Sequence, residues 1–109
     1  MPTSAVWIEG YIKGVEVTQS GLALVMLDKN QPISATGTGT SINITTSTQT
    51  WFELYIGDIN SSSTPSGATV KSQIAALLAL KSSNDLVRFV LANPVVTSSN
   101  TFSTFYPVQ

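Results

Sequence analysis

Residues 51–92 decide the fold, and they read WFELYIGDINSSSTPSGATVKSQIAALLALKSSNDLVRFVLA. The hydrophobic period of this stretch changes twice. Residues 51–56 alternate with period two, residues 69–80 repeat at helical spacing, and residues 86–92 return to a strand-like pattern. The stretch therefore predicts a strand, a helix and a second strand, in that order.

The strand at 51–56 separates two different faces. One face is apolar and comprises Phe52, Leu54 and Ile56. The opposite face carries two aromatic rings and a carboxylate, and it comprises Trp51, Glu53 and Tyr55. A clean alternation of this kind is typical of a strand with one side on the core, and Gly57-Asp58 ends it.

The helix predicted at 69–80 has an apolar stripe at positions i, i+4, i+7 and i+8, which are Val70, Ile74, Leu77 and Leu78. Either Ser66 or Thr69 can cap its start, because a hydroxyl there accepts from a free backbone N–H. Lys81 suits the negative end of the helix dipole. We therefore expect an amphipathic helix that packs on the sheet.

Two more strands precede the decisive stretch. Residues 5–17, AVWIEGYIKGVEV, alternate, with Trp7 and Tyr11 on one side and Ile8 and Ile12 on the other. Glycines at 10 and 14 predict a bend that lets one strand serve both halves of a small barrel. After a turn at 18–21, the apolar run at 22–27 is the predicted hairpin partner.

The segment 34–50 is a low-complexity Ser/Thr/Gly stretch without charge, so it is either a loop or an exposed hairpin arm. At the other end, a turn at 97–100 leads to TFSTFYPV (101–108), which reads as a last strand. The order is β-β-β-α-β-β. It predicts an all-β fold, a five-stranded OB-fold barrel with one helix between its third and fourth strands, as a single domain over 1–109.

The sequence resembles the DNA-binding core of the bacterial single-stranded DNA-binding protein family. The likeness lies in Ile8-Glu9-Gly10-Tyr11-Ile12, the Ser20-Gly21 turn, Thr50-Trp51-Phe52-Glu53-Leu54, and Asp85-Leu86-Val87-Arg88-Phe89-Val90 after the helix. It covers nearly the whole chain. The chain has fewer basic residues than the family usually carries and ends at Gln109 without an acidic tail, so we expect a divergent, tail-less member.

The resemblance implies binding of single-stranded DNA or RNA, with little sequence preference. Bases would stack on aromatic rings along the outward strand faces, and cations would contact phosphate. The candidate stacking residues are Trp7, Tyr11, Trp51 and Tyr55, and the candidate phosphate contacts are Lys13 and Arg88. The same aromatic residues are also typical of a protein interface.

Charged residues make up only 10% of the chain, and the net charge is −1. A surface so poor in charge packs readily against another subunit, since little ion desolvation is needed. We therefore expect a homo-oligomer. The alternative function is a non-enzymatic structural or protein-interaction module on the same fold.

Catalysis has little support in the sequence. The chain contains no histidine and no cysteine, which excludes the commonest general base, thiol nucleophile and zinc ligands. No phosphate-binding glycine loop is present either. We expect no enzyme activity, no cofactor and no metal. Without a signal peptide or a membrane-length apolar run, the expected location is cytoplasmic, with no membrane partner.

Overall fold

The computed structural model describes residues 6–36, 50–91 and 100–108. It is mostly β, an antiparallel sheet of six strands with one helix. The elements in chain order are β1 (Val6–Val17), β2 (Leu22–Asp28), β3 (Ser34–Ala35), β4 (Trp51–Asp58), α1 (Gly67–Ser82), β5 (Leu86–Leu91) and β6 (Thr104–Pro107).

Strand β1 is the centre of the sheet. Its first half, from Val6 to Tyr11, pairs with β5, and its second half, from Ile12 to Val17, pairs with β2. The register with β2 shifts between Ile12 and Gly14. This irregularity lies where the sequence predicted a bend, and it lets one strand belong to both halves of the sheet.

The strand order is β4-β2-β1-β5-β6, and the sheet is not closed into a barrel. Among the described residues, the edge strand β4 also touches the segment that precedes β6. There Tyr55 forms an isolated parallel bridge with Thr101, and the Tyr55 N–H donates to the Asn100 carbonyl oxygen over 2.6 Å. The closed barrel is thus not observed, although the strands follow one another as the sequence predicted.

The sixth strand, β3, was not predicted. Ser34 and Ala35 pair with Glu9 and Ile8 of β1, inside the segment 34–50 that was expected to be a loop or a hairpin arm. The prediction of five strands is therefore wrong by this short addition. Residues 37–49, which would decide between loop and arm, lie outside the described residues, as do 97–99 of the predicted turn.

On β1 and β4, the core lies on the inward faces that the alternation predicted. Its largest fully buried side chains are Phe89, Ile8, Leu27, Leu54, Leu77, Val25, Val70 and Val87. Phe89 also contacts two rings from the C-terminal segment, Phe102 and Phe105, at centroid distances of 5.1 and 5.9 Å. Because these rings pack edge-on or tilted, they fix the C-terminal segment against β5.

Helix α1 is longer than the predicted 69–80, and it packs against β1 and β4. Ser66 is its N-cap, and its hydroxyl accepts from the Thr69 N–H over 3.3 Å. The helix approaches β4 at Gly57, where a Cβ would lie 2.7 Å from Cγ2 of Val70. Glycine at this position therefore allows the close packing.

One member of the predicted apolar stripe is not in the core. Val70 and Leu77 are fully buried, whereas Leu78 is 44% exposed. Neighbouring residues on a helix point about 100° apart, so the sheet that covers Leu77 does not reach Leu78. The prediction for Leu78 is wrong for this reason.

Candidate nucleic-acid interface

The outward faces of β1 and β4 carry the four predicted stacking residues. Trp7 and Tyr11 alternate with the buried Ile8 and Ile12, and all four outward rings of the two strands are half-buried. On β4, Trp51 and Tyr55 alternate with buried apolar residues in the same way. Each ring therefore keeps part of its surface in contact with solvent.

Strand β2 separates these two aromatic strands. Leu27 of β2 pairs with Ile12 on one side and with Phe52 on the other, and the adjacent Asp28 pairs with Trp51. Tyr11, next to Ile12, and Trp51, next to Phe52, thus lie on outward faces with one strand between them. At the usual spacing of strands, the backbones of β1 and β4 are about 10 Å apart.

Arg88 is placed at the centre of a polar group on the outward face of β5. The cross-strand register puts it opposite Glu9 of β1 and opposite Tyr106 of β6. Its Nε donates to Oε1 of Glu9 over 2.6 Å, its Nη2 forms an ion pair with the same oxygen, and its Nη1 donates to the Tyr106 hydroxyl over 3.3 Å. We call Trp7, Glu9, Arg88 and Tyr106 the Arg88 cluster.

The Arg88 guanidinium also lies over the Trp7 ring, with its Cζ 4.3 Å from the ring centroid. A planar cation over an indole face is a favourable cation–π contact. The hydrogen bond to Glu9 is the main reason that the pKa of Arg88 is raised above its usual value, and the Tyr106 hydroxyl adds to the effect. Arg88 is thus a fully charged, oriented side chain.

Glu9 is a nearly buried carboxylate on β1, the central strand of the sheet. The residue is only 9% exposed, and it pairs with Arg88 on one side and with Ser34 of β3 on the other. A carboxylate this deep needs a partner, and Arg88 supplies it. The cluster is therefore locally neutral.

A second carboxylate lies between the two rings of β4. The Trp51 indole N–H donates to Oε1 of Glu53 over 3.0 Å, and both side chains are half-buried. We call this the Trp51–Glu53 pair. It orients the indole ring and places an acceptor beside it.

Lys13 lies within the register shift of β1, between Ile12 and Gly14, and its side chain is exposed. It forms no hydrogen bond or ion pair with the described residues. Among the described residues, Lys13 therefore has no partner for its charge, whereas Arg88 has part of its hydrogen-bonding capacity engaged by Glu9 and Tyr106.

Sequence reasoning missed the roles of Glu9 and Tyr106. Glu9 lies within the first predicted strand and Tyr106 within the last one, TFSTFYPV, and neither was assigned a role. What joins them to Arg88 is the register of three strands, β1, β5 and β6. The only hint in the sequence was that strand alternation can place all three residues on the outward faces of their strands.

A metal site and a membrane-spanning helix are both absent from the described residues. No group of three or more Asp, Glu, His or Cys side chains there could hold a metal ion. No helix there is long and apolar enough to span a membrane. A shallow cleft between α1 and β6, lined among others by Gln73 and Phe105, contains none of the predicted site residues.

No known protein family, no curated protein and no solved structure matches this chain. The resemblance to the bacterial single-stranded DNA-binding proteins therefore stays a prediction. What carries a functional argument is the chemistry of the outward strand faces.

Proposed function

We propose that this chain is an OB-fold protein that binds single-stranded DNA or RNA by stacking bases on Trp7, Tyr11, Trp51 and Tyr55. The observation that carries the proposal is the placement of these four half-buried rings on the outward faces of two strands separated by β2 alone. Base–aromatic stacking tolerates any sequence, because every base has a π face.

The strand order supports an OB-type arrangement. In that fold a bent first strand serves two sheets and a helix precedes the fourth main strand. Here β1 pairs with β2 and β5, and α1 lies between β4 and β5. The bridge from Tyr55 to Thr101 links the edge strand β4 to the segment that precedes β6, on the side where such a barrel would close.

Cationic contacts have a minor role in this proposal. Lys13 contacts phosphate directly, while Arg88 uses those of its five N–H groups that Glu9 and Tyr106 leave free. With so few cations, affinity depends on stacking more than on neutralising phosphates. A homo-oligomer would add the faces of several copies along one strand.

Intrinsic fluorescence can test the proposal, because the chain contains two tryptophans, one on each aromatic strand. Trp7→Phe and Trp51→Phe each leave a single fluorescent reporter. We expect a thymidine oligomer at low salt to quench both variants, since a base stacked on an indole changes its emission. Absence of quenching in both variants at micromolar protein would contradict the proposal.

A variant on the aromatic face and a control variant on α1 test the location. Tyr55→Ser should weaken binding by about 1–3 kcal/mol, the usual value of one stacked base. Leu78→Ser removes an exposed apolar side chain from α1, outside the proposed interface, and should have a much smaller effect. Equal losses in the two variants would place the interface elsewhere.

A second candidate is a structural or protein-interaction module that forms a homo-oligomer. The observation that favours it is the exposure of large apolar side chains away from the aromatic face, namely Leu78 at 44% and Val17 at 46%. It predicts a stable oligomer that ignores nucleic acid. Light scattering with and without oligonucleotide distinguishes the two, because a monomer that binds oligonucleotide contradicts this candidate.

A further inference from the structure

We propose that Glu53 determines base specificity at this interface and that it selects guanine within a single strand. The inference rests on the proposed function, since it names the base that the aromatic face prefers. It starts from one unusual feature, a carboxylate placed between two stacking rings on a face that has to accept a polyanion.

The position of Glu53 follows from strand geometry. Trp51 and Tyr55 lie two residues before and two residues after it, so all three side chains project from the same face of β4. Successive side chains on one face of a strand are close neighbours. A base stacked on either ring therefore brings its hydrogen-bonding edge next to the carboxylate.

The carboxylate is already oriented before any base arrives. The Trp51 indole N–H holds Oε1 over 3.0 Å, and Oε2 accepts no hydrogen bond from the described residues. An ionised carboxylate only accepts, and each of its oxygens can accept more than one hydrogen bond. Glu53 thus offers a base two acceptor oxygens and no hydrogen-bond donor of its own.

Guanine is the base whose Watson–Crick edge matches that pair. Its ring N1–H and its exocyclic amino group are two adjacent, parallel donors. Thymine and uracil offer one N–H between two carbonyl oxygens, which a carboxylate repels. Adenine and cytosine offer an amino group beside an unprotonated ring nitrogen, whose lone pair faces the second carboxylate oxygen. Single-stranded nucleic acid is read at this edge, because the edge is unpaired.

The experiment compares guanine with hypoxanthine, which lacks only the exocyclic amino group. Labelled thymidine oligomers carry either base at every third position, and anisotropy gives the Kd in lithium buffer, which suppresses four-stranded guanine structures. We expect the guanine oligomer to bind about tenfold tighter, as for one bidentate base contact. In Glu53→Gln the ratio should fall close to one, because an amide offers one acceptor and one donor.

Glu16→Gln is the matched control. Glu16 is an exposed carboxylate on β1, separated from β4 by β2, and its removal changes the net charge by the same amount. It should keep the guanine preference. Circular dichroism of both variants shows whether each is folded.

The outcomes separate the two proposals. Equal binding of the guanine and hypoxanthine oligomers by the unmodified protein overturns the guanine inference and leaves stacking intact. A preference that survives Glu53→Gln, or that Glu16→Gln also removes, overturns the role of Glu53. Binding of no oligomer at all overturns the proposed function, and the inference with it.

Discussion

At the scale of single residues, Arg88 shows how a strand face can hold a cation without offering it fully to a ligand. The guanidinium rests on Trp7, while Glu9 and Tyr106 take up its hydrogen bonds. Glu9 engages Arg88 through Nε and Nη2, which are groups that could also bind a phosphate oxygen. If the face binds nucleic acid, Glu9 therefore competes with the backbone for Arg88.

Glu9→Gln should release Arg88 toward phosphate. An uncharged amide holds a guanidinium less strongly than a carboxylate does. We expect tighter oligonucleotide binding and a dependence of log Kd on log salt that is steeper by up to about 0.7, the contribution of one single-strand phosphate contact. Salt titrations monitored by tryptophan fluorescence measure this slope.

Glu16→Gln is again the control, because it removes an exposed carboxylate that has no contact with Arg88. It should leave the slope unchanged. If Glu9→Gln and the unmodified protein give the same slope, Arg88 does not contact phosphate.

For β1 and β4, the sequence predicted which face is buried but not which outward residues meet. Alternation assigned Ile8 and Ile12 to the core and Trp7 and Tyr11 to the outside, in agreement with the burial of β1. The contact of Glu9 with Arg88 joins residues separated by 79 positions. It depends on strand register, which local periodicity does not contain.

At the scale of elements, α1 shows where periodicity gives an incomplete answer. A run as apolar as IAALLAL contains more hydrophobic residues than one helix face can bury. The sheet selects Leu77 for the core and leaves Leu78 in solvent. Adjacent leucines therefore differ in their contribution to stability.

Leu77→Ala and Leu78→Ala test this difference. Truncating the fully buried Leu77 should cost about 2–5 kcal/mol of the free energy of unfolding, from lost burial and the cavity left behind. Truncating Leu78 should stay within about 0.5 kcal/mol, as for most surface substitutions. Urea unfolding monitored by tryptophan fluorescence gives both values, and equal losses would contradict the burial assigned to α1.

The ends of elements were predicted less well than their existence, for physical reasons. The cap at Ser66 extends α1 beyond the predicted start at 69, because residues 67 and 68 carry no apolar signal of their own. Strand β3 has only two residues, and it forms because β1 offers a free edge at Ile8 and Glu9. Such a short strand depends on the neighbouring strand of the fold and not on a pattern in its own sequence.

At the scale of the whole molecule, the net charge limits the electrostatic attraction of the protein for nucleic acid. Five cations and six carboxylates leave the protein with a net charge of −1, and at least one of the cations is engaged with Glu9. Long-range attraction to a polyanion is therefore weak. The proposed stacking of bases does not depend on this long-range attraction.

The unmodified protein should consequently bind oligonucleotides with a shallow salt dependence. We expect a slope of log K against log salt no steeper than about −2 per subunit, which corresponds to two or three phosphate contacts. Titrations over a tenfold range of sodium chloride measure it. A slope several times steeper would require basic groups that this chain does not contain.

The sharing of β1 between two halves of the sheet also bears on how the chain reaches its native state. Its first half can complete its ladder only after β5 has been synthesised and brought back across most of the chain, as the separation of 79 residues between Glu9 and Arg88 shows. Forming contacts this distant in sequence costs loop-closure entropy before the contacts contribute any stabilisation. Folding should therefore take milliseconds to seconds, with the hairpin of β1 and β2 available early and the pairing with β5 formed late.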